Sequence, residues 1–446
     1  MLRALNDPRV ADRSASVRRG GETLRRCFRP DRPARRWLAL TALLAAAATG
    51  AHAGDLFASG SGLGASPLKL DAFGTLGAVY QDSPGLAFRR SVGQGHGARA
   101  GEIDFGTDSL LGLQLGVNTS FGLDAQFQGI VRRNAFGLWR PELARAFLRY
   151  EPNQTVMIRA GRIGLSLYLR GATPDVGYSY LPIRPPEEVY GLLPSNHFDG
   201  ADLTLTRVIG NGVGKLRLFG GGLPYQIGNA NGSVTRMENT TVFGITGRYF
   251  EGDWETLVAL VQFHNHDTSA NPLARALLGT HFPQAASFAD ELTKSPQNVL
   301  VMGFGTSYTG NRLRATAVYA RLDSDYVMGP KANTGYLLLG WRLSQVTPYA
   351  LYSVSDSFAS TQPAGLPPLP VFQPLIEGAY QAQVAAQTTQ RDFALGVRYD
   401  FAPHMDIKAQ VDHIWLHQSM LIFDYNVPPF GHASMTVAGV ALDFAF

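Results

Sequence analysis

Alternating apolar and polar residues mark the last segment of the chain. In SMTVAGVALDFAF (residues 434–446), Val440, Leu442 and Phe444 fall on one face, whereas Ala441 and Asp443 fall on the other. Because successive side chains of a β-strand point to opposite sides, this period of two predicts a strand. We expect its two faces to lie in different environments.

Similar segments, bounded by Gly, Pro, Asn and Asp, recur along the chain. Each is close to or longer than the roughly 9–11 residues that a tilted membrane-spanning strand needs. The predicted strands are residues 67–82, 103–120, 123–134, 143–153, 155–168, 199–210, 212–224, 240–253, 254–267, 297–310, 311–325, 334–345, 346–357, 390–403, 405–419 and 432–446. Their number is even, about 16, as in bacterial membrane barrels.

The connections between these segments alternate in length. Tight turns such as Gly210-Asn211-Gly212 and Thr309-Gly310-Asn311 alternate with connections that tend to be long and polar, at 83–102, 168–199, 268–296 and 358–389. This asymmetry is typical of outer-membrane barrels. We therefore predict an all-β fold, a transmembrane antiparallel β-barrel of about 16 strands with short periplasmic turns and long extracellular loops.

The first 53 residues predict a secretory signal peptide. A basic leader precedes an apolar run of 14 residues that begins at Trp37, and Ala51-His52-Ala53 offers a small-residue cleavage site. The run is shorter than the roughly 20 residues of a spanning helix. We expect residues 1–53 to be removed, leaving residues 54–446 as the barrel in the cell outer membrane.

Removal of this leader changes the charge. Residues 54–446 hold 28 Lys and Arg and 31 Asp and Glu, a net charge of −3, so the basic character belongs to the leader and indicates no nucleic-acid partner. The single cysteine, Cys27, also leaves with the leader. A short His264–Asp267 cluster lies at a predicted loop edge, and we expect neither a metal nor a cofactor.

Several predicted strands carry a polar face. In residues 405–415, Asp406, Lys408 and Asp412 oppose Ile407 and Val411. An arginine facing lipid at mid-depth costs about 2–4 kcal/mol, so we expect the polar faces to line a wet lumen.

Arginines concentrate in three neighbouring strands and the start of the next loop. They are Arg132, Arg145, Arg149, Arg159, Arg162 and Arg170. Positive side chains lining a pore lower the barrier for anions, which predicts an arginine ladder. The alternative is a plain wall in which these arginines pair with acids such as Asp124 and Glu151. Arg159 and Arg162 can both face inward only if the strand bulges at Gly161.

Short motifs resemble those of Gram-negative porins, in particular porins related to the phosphate-selective group. The motifs are RAFLRYEP (145–152), IRAGR (158–162), RPPEEVYG (184–191) and FDGADL (198–203). The terminal Phe446 resembles the signal that the barrel-assembly machinery recognises during insertion. The resemblance implies a 16-stranded barrel, usually a homotrimer in outer-membrane lipid, that passes small hydrophilic solutes. Residues 54–446 contain only five lysines, which departs from the lysine-rich ladder of phosphate porins.

The loop at 168–199 occupies the place where trimeric porins fold a loop into the barrel. It holds Asp175, Arg184, Glu187 and Glu188. Acids opposite wall arginines would create a transverse field at a constriction. The alternative is an outward surface loop.

We therefore expect a passive channel that prefers anions, and not an enzyme. Two alternatives remain open. A lipase-like outer-membrane enzyme would need a serine partner for a residue such as His413, and spacing identifies none. A barrel-based receptor or adhesin would use the long outside loops.

Overall fold

The computed structural model describes residues 68–171, 173–267, 272–425 and 432–446. The predicted signal peptide, residues 1–53, lies outside the described residues, and so does the beginning of the predicted barrel segment.

Sixteen antiparallel strands form one closed barrel. In chain order they are β1 Leu68–Gln81, β2 Leu110–Val117, β3 Leu123–Arg133, β4 Trp139–Asn153, β5 Val156–Gly164, β6 His197–Ile209, β7 Gly212–Gly222, β8 Thr240–Glu251, β9 Trp254–Asn265, β10 Gln297–Thr309, β11 Leu313–Ser324, β12 Ala332–Trp341, β13 Val346–Ser357, β14 Thr388–Ala402, β15 Met405–Ser419 and β16 Ala433–Ala445. The fold class predicted from the alternation is confirmed.

Each strand pairs with the next one along the chain, and the last strand returns to the first. In this closing pair Leu76 lies opposite Leu442, and the register runs without a break from Phe73 to Gln81. Phe446 continues the seam: its N–H donates to the carbonyl of Ala72 at 2.7 Å, and the N–H of Ala72 donates to the carbonyl of Phe446 at 2.8 Å. The barrel therefore has no free edge between β1 and β16.

Strand boundaries differ from the predicted ones at a few places. β2 begins at Leu110 and not at residue 103, because the Asp104 carboxylate accepts hydrogen bonds from the N–H groups of Gly106 and Thr107 and folds this stretch into a turn. β5 ends at Gly164, before the predicted residue 168, and β4 begins earlier, at Trp139. The number and order of the strands are as predicted.

The two faces of the strands meet different surroundings, as β15 shows. Asp406, Lys408 and Asp412 point inward and are at most 2% exposed, whereas Ile407 and Val411 point outward and are at least 42% exposed. A band of exposed apolar side chains covers the outside of the barrel, and Trp254 and Trp341 lie close to the short turns. This distribution matches the apolar outer band and aromatic girdle of a membrane barrel.

The long loops carry small elements of their own. Helices α1 Pro272–Leu278, α2 Pro283–Leu292 and α3 Gln373–Val384 share one apolar cluster. Leu86–Phe88 pairs with Ala98–Arg99 and with Ile422–Asp424, and Tyr225–Gly228 pairs with Val234–Met237. Among the described residues, none of the helices has the length and hydropathy needed to span a bilayer.

Candidate functional site

The connection between β5 and β6, residues 165–196, is here called the inner loop. Its neck is closed by a hydrogen bond from the N–H of Leu165 to the carbonyl of Asn196, at 2.8 Å. Leu167 and Leu169 are 1% exposed and belong to the same apolar cluster as the inward-facing Val261 and Val301 of β9 and β10. The inner loop therefore packs inside the barrel.

This contact explains an apolar sector of the inner wall. Inward-facing Val242, Leu257 and Val318 of β8, β9 and β11 are buried against the inner loop and not exposed to water. Burying apolar surface is favourable by roughly 25 cal/mol per Å², so this sector holds the loop by the hydrophobic effect. Unlike β15, whose inner face is polar, these strands therefore present apolar side chains to the interior.

The opposite side of the inner loop is held by charged wall residues. The Lys408 ammonium donates to the carbonyl of Gly177 at 2.8 Å and lies 2.9 Å from the Asp443 carboxylate. Arg398 donates to the carbonyls of Tyr178 and Tyr180 at 2.8 and 2.9 Å. Buried charges need such partners, so β14 and β15 hold the loop through hydrogen bonds from charged side chains to its carbonyl groups.

A second ionic anchor lies at Arg184 of the inner loop. Its guanidinium, 1% exposed, contacts Asp108 at 2.7 Å, Asp412 at 2.9 Å and the neighbouring Glu187. Glu188 accepts hydrogen bonds from Ser353 and Gln390, each at 2.6 Å. Burial raises the pKa of Glu187, which lies in the loop and not in a spanning strand, to about 8, although Arg184 opposes the shift.

These contacts correct part of the expected constriction. Arg184, Glu187 and Glu188 are at most 4% exposed, and their contacts hold the inner loop to the wall. They therefore do not present their charges to either lumen cavity described below. Sequence spacing did not reveal this because the partners Asp108 and Asp412 are distant along the chain.

Two of the predicted ladder arginines, Arg149 and Arg159, form close ion pairs within the wall. Arg149 contacts Asp124 at 2.5 Å, and Arg159 holds Asp202 through two hydrogen bonds of 3.0 and 2.6 Å. Arg217, which the sequence reasoning did not single out as a site residue, shares Asp202 with Arg159. Arg149 is thus paired with its own acid, whereas Asp202 is shared by two guanidinium groups.

The pairing at Gly161 differs from the proposed bulge. The register of β5 runs without a shift from Val156 to Gly164 against β6, so Arg159 and Arg162 do not share a regular face. Arg162 holds Asp199 through two 2.7 Å hydrogen bonds and reaches the carbonyl of Leu143 at 3.1 Å. Pairing between β4 and β5 stops at Arg162, so this side chain bridges the point where the two strands separate.

A cavity of about 540 Å³ lies at the long-loop end of the lumen. Arg132 contacts Glu142 at 2.6 Å and Asp175 of the inner loop at 2.9 Å, and all three residues line this cavity. Arg162 borders it as well, and Arg145 lies within electrostatic range of Asp175. The cavity thus brings predicted wall arginines and one predicted loop acid together.

A smaller cavity, of about 50 Å³, lies near the short turn after β10. Arg170 of the inner loop and Arg314 of β11 line it, together with hydroxyl-bearing residues such as Ser307, and its lining contains no carboxylate. In the described part of the chain neither guanidinium forms an ion pair, and Arg170 donates only to the carbonyl of Ser179, at 3.1 Å. Arg314 was missed, although its alternation with Leu313 and Ala315 could have indicated an inward position.

Tyrosines of the inner loop and β12 lie between these two cavities. Tyr190 borders the larger cavity, Tyr180 and Tyr336 border the smaller one, and the ring of Tyr190 lies 6.5 Å from Tyr180 and 6.2 Å from Tyr336. Burial raises the pKa of Tyr180 and Tyr190, both in the loop, so both remain neutral hydroxyl groups. Uncharged aromatic side chains therefore lie between the two cavities.

No protein-family model matches the sequence, and no curated protein matches it. Among solved structures, OmpF of Salmonella typhi in complex with daunomycin is similar, with 13% identity and a TM-score of 0.49, over 85% of this chain and 97% of that one.

Two further solved structures are similar to the same extent. The anion-selective porin from Comamonas acidovorans has 11% identity and a TM-score of 0.46, over 85% of this chain and 99% of that one. The outer membrane channel DcaP of Acinetobacter baumannii has 10% identity and a TM-score of 0.49, over 85% of this chain and 97% of that one. The assignment of the barrel fold rests on the strand pairing described above.

Proposed function

We propose that this protein is an outer-membrane channel for the passive diffusion of small hydrophilic solutes, with a preference for anions. The closed barrel, its apolar outer band and its charged inner wall support a membrane-spanning channel. In this proposal the short turns face the periplasm and the long loops face the outside.

The anion preference is inferred from which arginines along the lumen are paired with carboxylates and which are not. Arg149 and Arg162 are each paired with a wall acid, and Arg159 shares one with Arg217, whereas Arg170 and Arg314 line the smaller cavity without a carboxylate in its lining. An unbalanced positive charge in a narrow passage lowers the barrier for anions and raises it for cations. We therefore assign the preference to Arg170 and Arg314.

Planar-bilayer recording of the purified, folded protein tests this proposal. We expect step-like conductance and, in a KCl gradient, a reversal potential whose sign shows preference for chloride. Folded protein that gives no conductance would refute the channel, and a cation-selective reversal potential would refute the anion preference.

We further propose that the protein acts as a homotrimer in outer-membrane lipid and that Phe446 directs its insertion by the barrel-assembly machinery. The porin-like motifs and the terminal position of Phe446 beside the closing strand pair support this. Light scattering of the protein in detergent should give three chains per particle. Removal of Phe446 should reduce insertion without changing synthesis.

A further inference from the structure

Three carboxylates meet between the inner loop and the barrel wall. Oxygens of Glu187, Glu188 and Asp392 all lie within 4.8 Å of one another, and all three residues are buried. Asp392 lies on β14, opposite Ser353 of β13, and Ser353 itself donates to Glu188. The cluster therefore joins the inner loop to two wall strands.

The charge around this cluster is strongly unbalanced. The same buried region holds Asp108 and Asp412, and the nearby cation is Arg184, which contacts Asp108, Glu187 and Asp412. Among the described residues, the side-chain carboxylate of Glu188 receives hydrogen bonds from two neutral groups, those of Ser353 and Gln390, each at 2.6 Å. Five carboxylates thus share this region with one guanidinium, which contacts three of them directly. Buried charges are paired or bind metals, so this region requires further positive charge.

A separate observation places the missing charge at Asp392. Its side chain is 1% exposed, and its Oδ1 atom has no hydrogen-bond partner in the described part of the chain. A buried acceptor without a partner is costly. This atom belongs to the carboxyl group that faces the two glutamates.

We propose that Glu187, Glu188 and Asp392 bind one calcium ion, which fastens the inner loop to strand β14. Calcium prefers carboxylate and other oxygen ligands at 2.3–2.6 Å, so two of its ligands can lie up to roughly 5 Å apart. One carboxylate oxygen from each of the three residues lies within 4.8 Å of the others, which is within this distance.

This site was not visible in the sequence. Glu187 and Glu188 are adjacent in the chain, but Asp392 joins them only because the inner loop folds back against β14. The calcium site does not depend on the channel proposal, because it concerns how the inner loop is held and not what passes it.

Calorimetric titration of the folded protein with calcium tests the proposal. The protein is refolded in detergent, treated with a chelator, desalted and titrated with CaCl₂ at mildly alkaline pH. We expect one calcium per chain and a rise in melting temperature when calcium is added. Wild-type protein that binds no calcium at millimolar concentrations would overturn the proposal, and protons would then balance the cluster.

Two variants locate the ion. Asp392→Asn keeps the shape of the side chain but removes its charge, and we expect calcium affinity to fall at least about tenfold, as is common when metal-site partners are lost. Asp290→Asn, at an exposed position on α2, is the matched control and should bind as the wild type does. Unchanged affinity in folded Asp392→Asn would place the calcium elsewhere and also overturn the proposal.

Discussion

The ammonium group of Lys408 lies 2.8 Å from the carbonyl oxygen of Gly177, which joins strand β15 to the inner loop. The same ammonium lies 2.9 Å from the carboxylate of Asp443 on β16, and both side chains are fully buried. The position of the loop is thus coupled to an ion pair inside the wall.

Replacing Lys408 with methionine should destabilise the protein by about 3–5 kcal/mol. The change leaves Asp443 and Asp406 buried without this cation, and breaking a buried ion pair from one side has that order of cost. Equilibrium unfolding in denaturant measures the loss.

Lys294→Met is the matched control for this change. Lys294 lies 3.2 Å from Asp325, but both side chains are 39% exposed, so water screens the pair. We expect a loss below about 1 kcal/mol. Equal losses in the two variants would contradict the role assigned to Lys408.

An alanine at Gly177 should move the inner loop. A methyl group at this position would collide with the carboxylate of Asp443 and the hydroxyl of Thr75, both on wall strands. Overpacking of this kind typically costs about 1–3 kcal/mol. We expect single-channel conductance to change while the barrel still folds, as judged by heat-dependent migration in a gel.

Gly378→Ala is the control for this alanine substitution. Gly378 lies on α3, where an added methyl group would have its nearest neighbour, Leu273, at an ordinary 3.6 Å. Its conductance should equal that of the wild type, whereas unchanged conductance in Gly177→Ala would show that the loop contact does not set the passage.

Neutralising Arg170 or Arg314 should reduce the preference for anions. Both side chains line the smaller cavity, whose lining contains no carboxylate, so glutamine at either position removes uncompensated positive charge. The reversal potential in a salt gradient should move toward zero in each single variant and further in the double variant. Additive loss is expected because both groups act on the same passing ion.

The paired variant Arg149→Gln with Asp124→Asn should leave selectivity unchanged. These two side chains form a 2.5 Å ion pair in the wall, so removing both changes no net charge. The reversal potential again provides the measurement. A shift as large as that in Arg170→Gln would favour the full arginine ladder over the two free arginines.

The pH dependence of stability should differ between the wild type and Glu187→Gln. Burial raises the pKa of Glu187 to about 8, so between its ordinary pKa of 4.5 and about 8 the folded chain holds a proton that the unfolded chain has lost. Stability from this group is therefore lost as pH rises through that window. With chelator present, melting temperature should fall less with pH in Glu187→Gln, and parallel curves would contradict the shift.

Alternation alone was sufficient to predict most of the barrel. In β15, polar and apolar residues change places at every step, and the structure places them inside and outside as expected. The boundary of β2 was wrong because Asp104 forms a local turn with Gly106 and Thr107, which alternation does not detect.

The site was less predictable because its contacts depend on register and loop position. The partner of Arg159, Asp202, lies directly opposite on β6, and only the observed pairing shows this. The inner loop also buries Arg184 and Glu188, whose charged character favoured exposure in the sequence. Residue type indicated charge, but it did not indicate which charges remain available in the lumen.

The pairing of β1 with β16 has a consequence for biosynthesis. Leu76 of β1 and Leu442 of β16 are neighbours across the seam. The outer-edge N–H and C=O groups of β1, which is synthesised first, therefore find their partners within lipid only after β16, which is synthesised last, has been inserted. Until then β1 offers an unsatisfied edge that can join another chain. A polypeptide that ends before residue 433 would therefore be unable to close the barrel. Assembly in the cell thus requires that the unpaired edge of β1 be protected until β16 pairs with it.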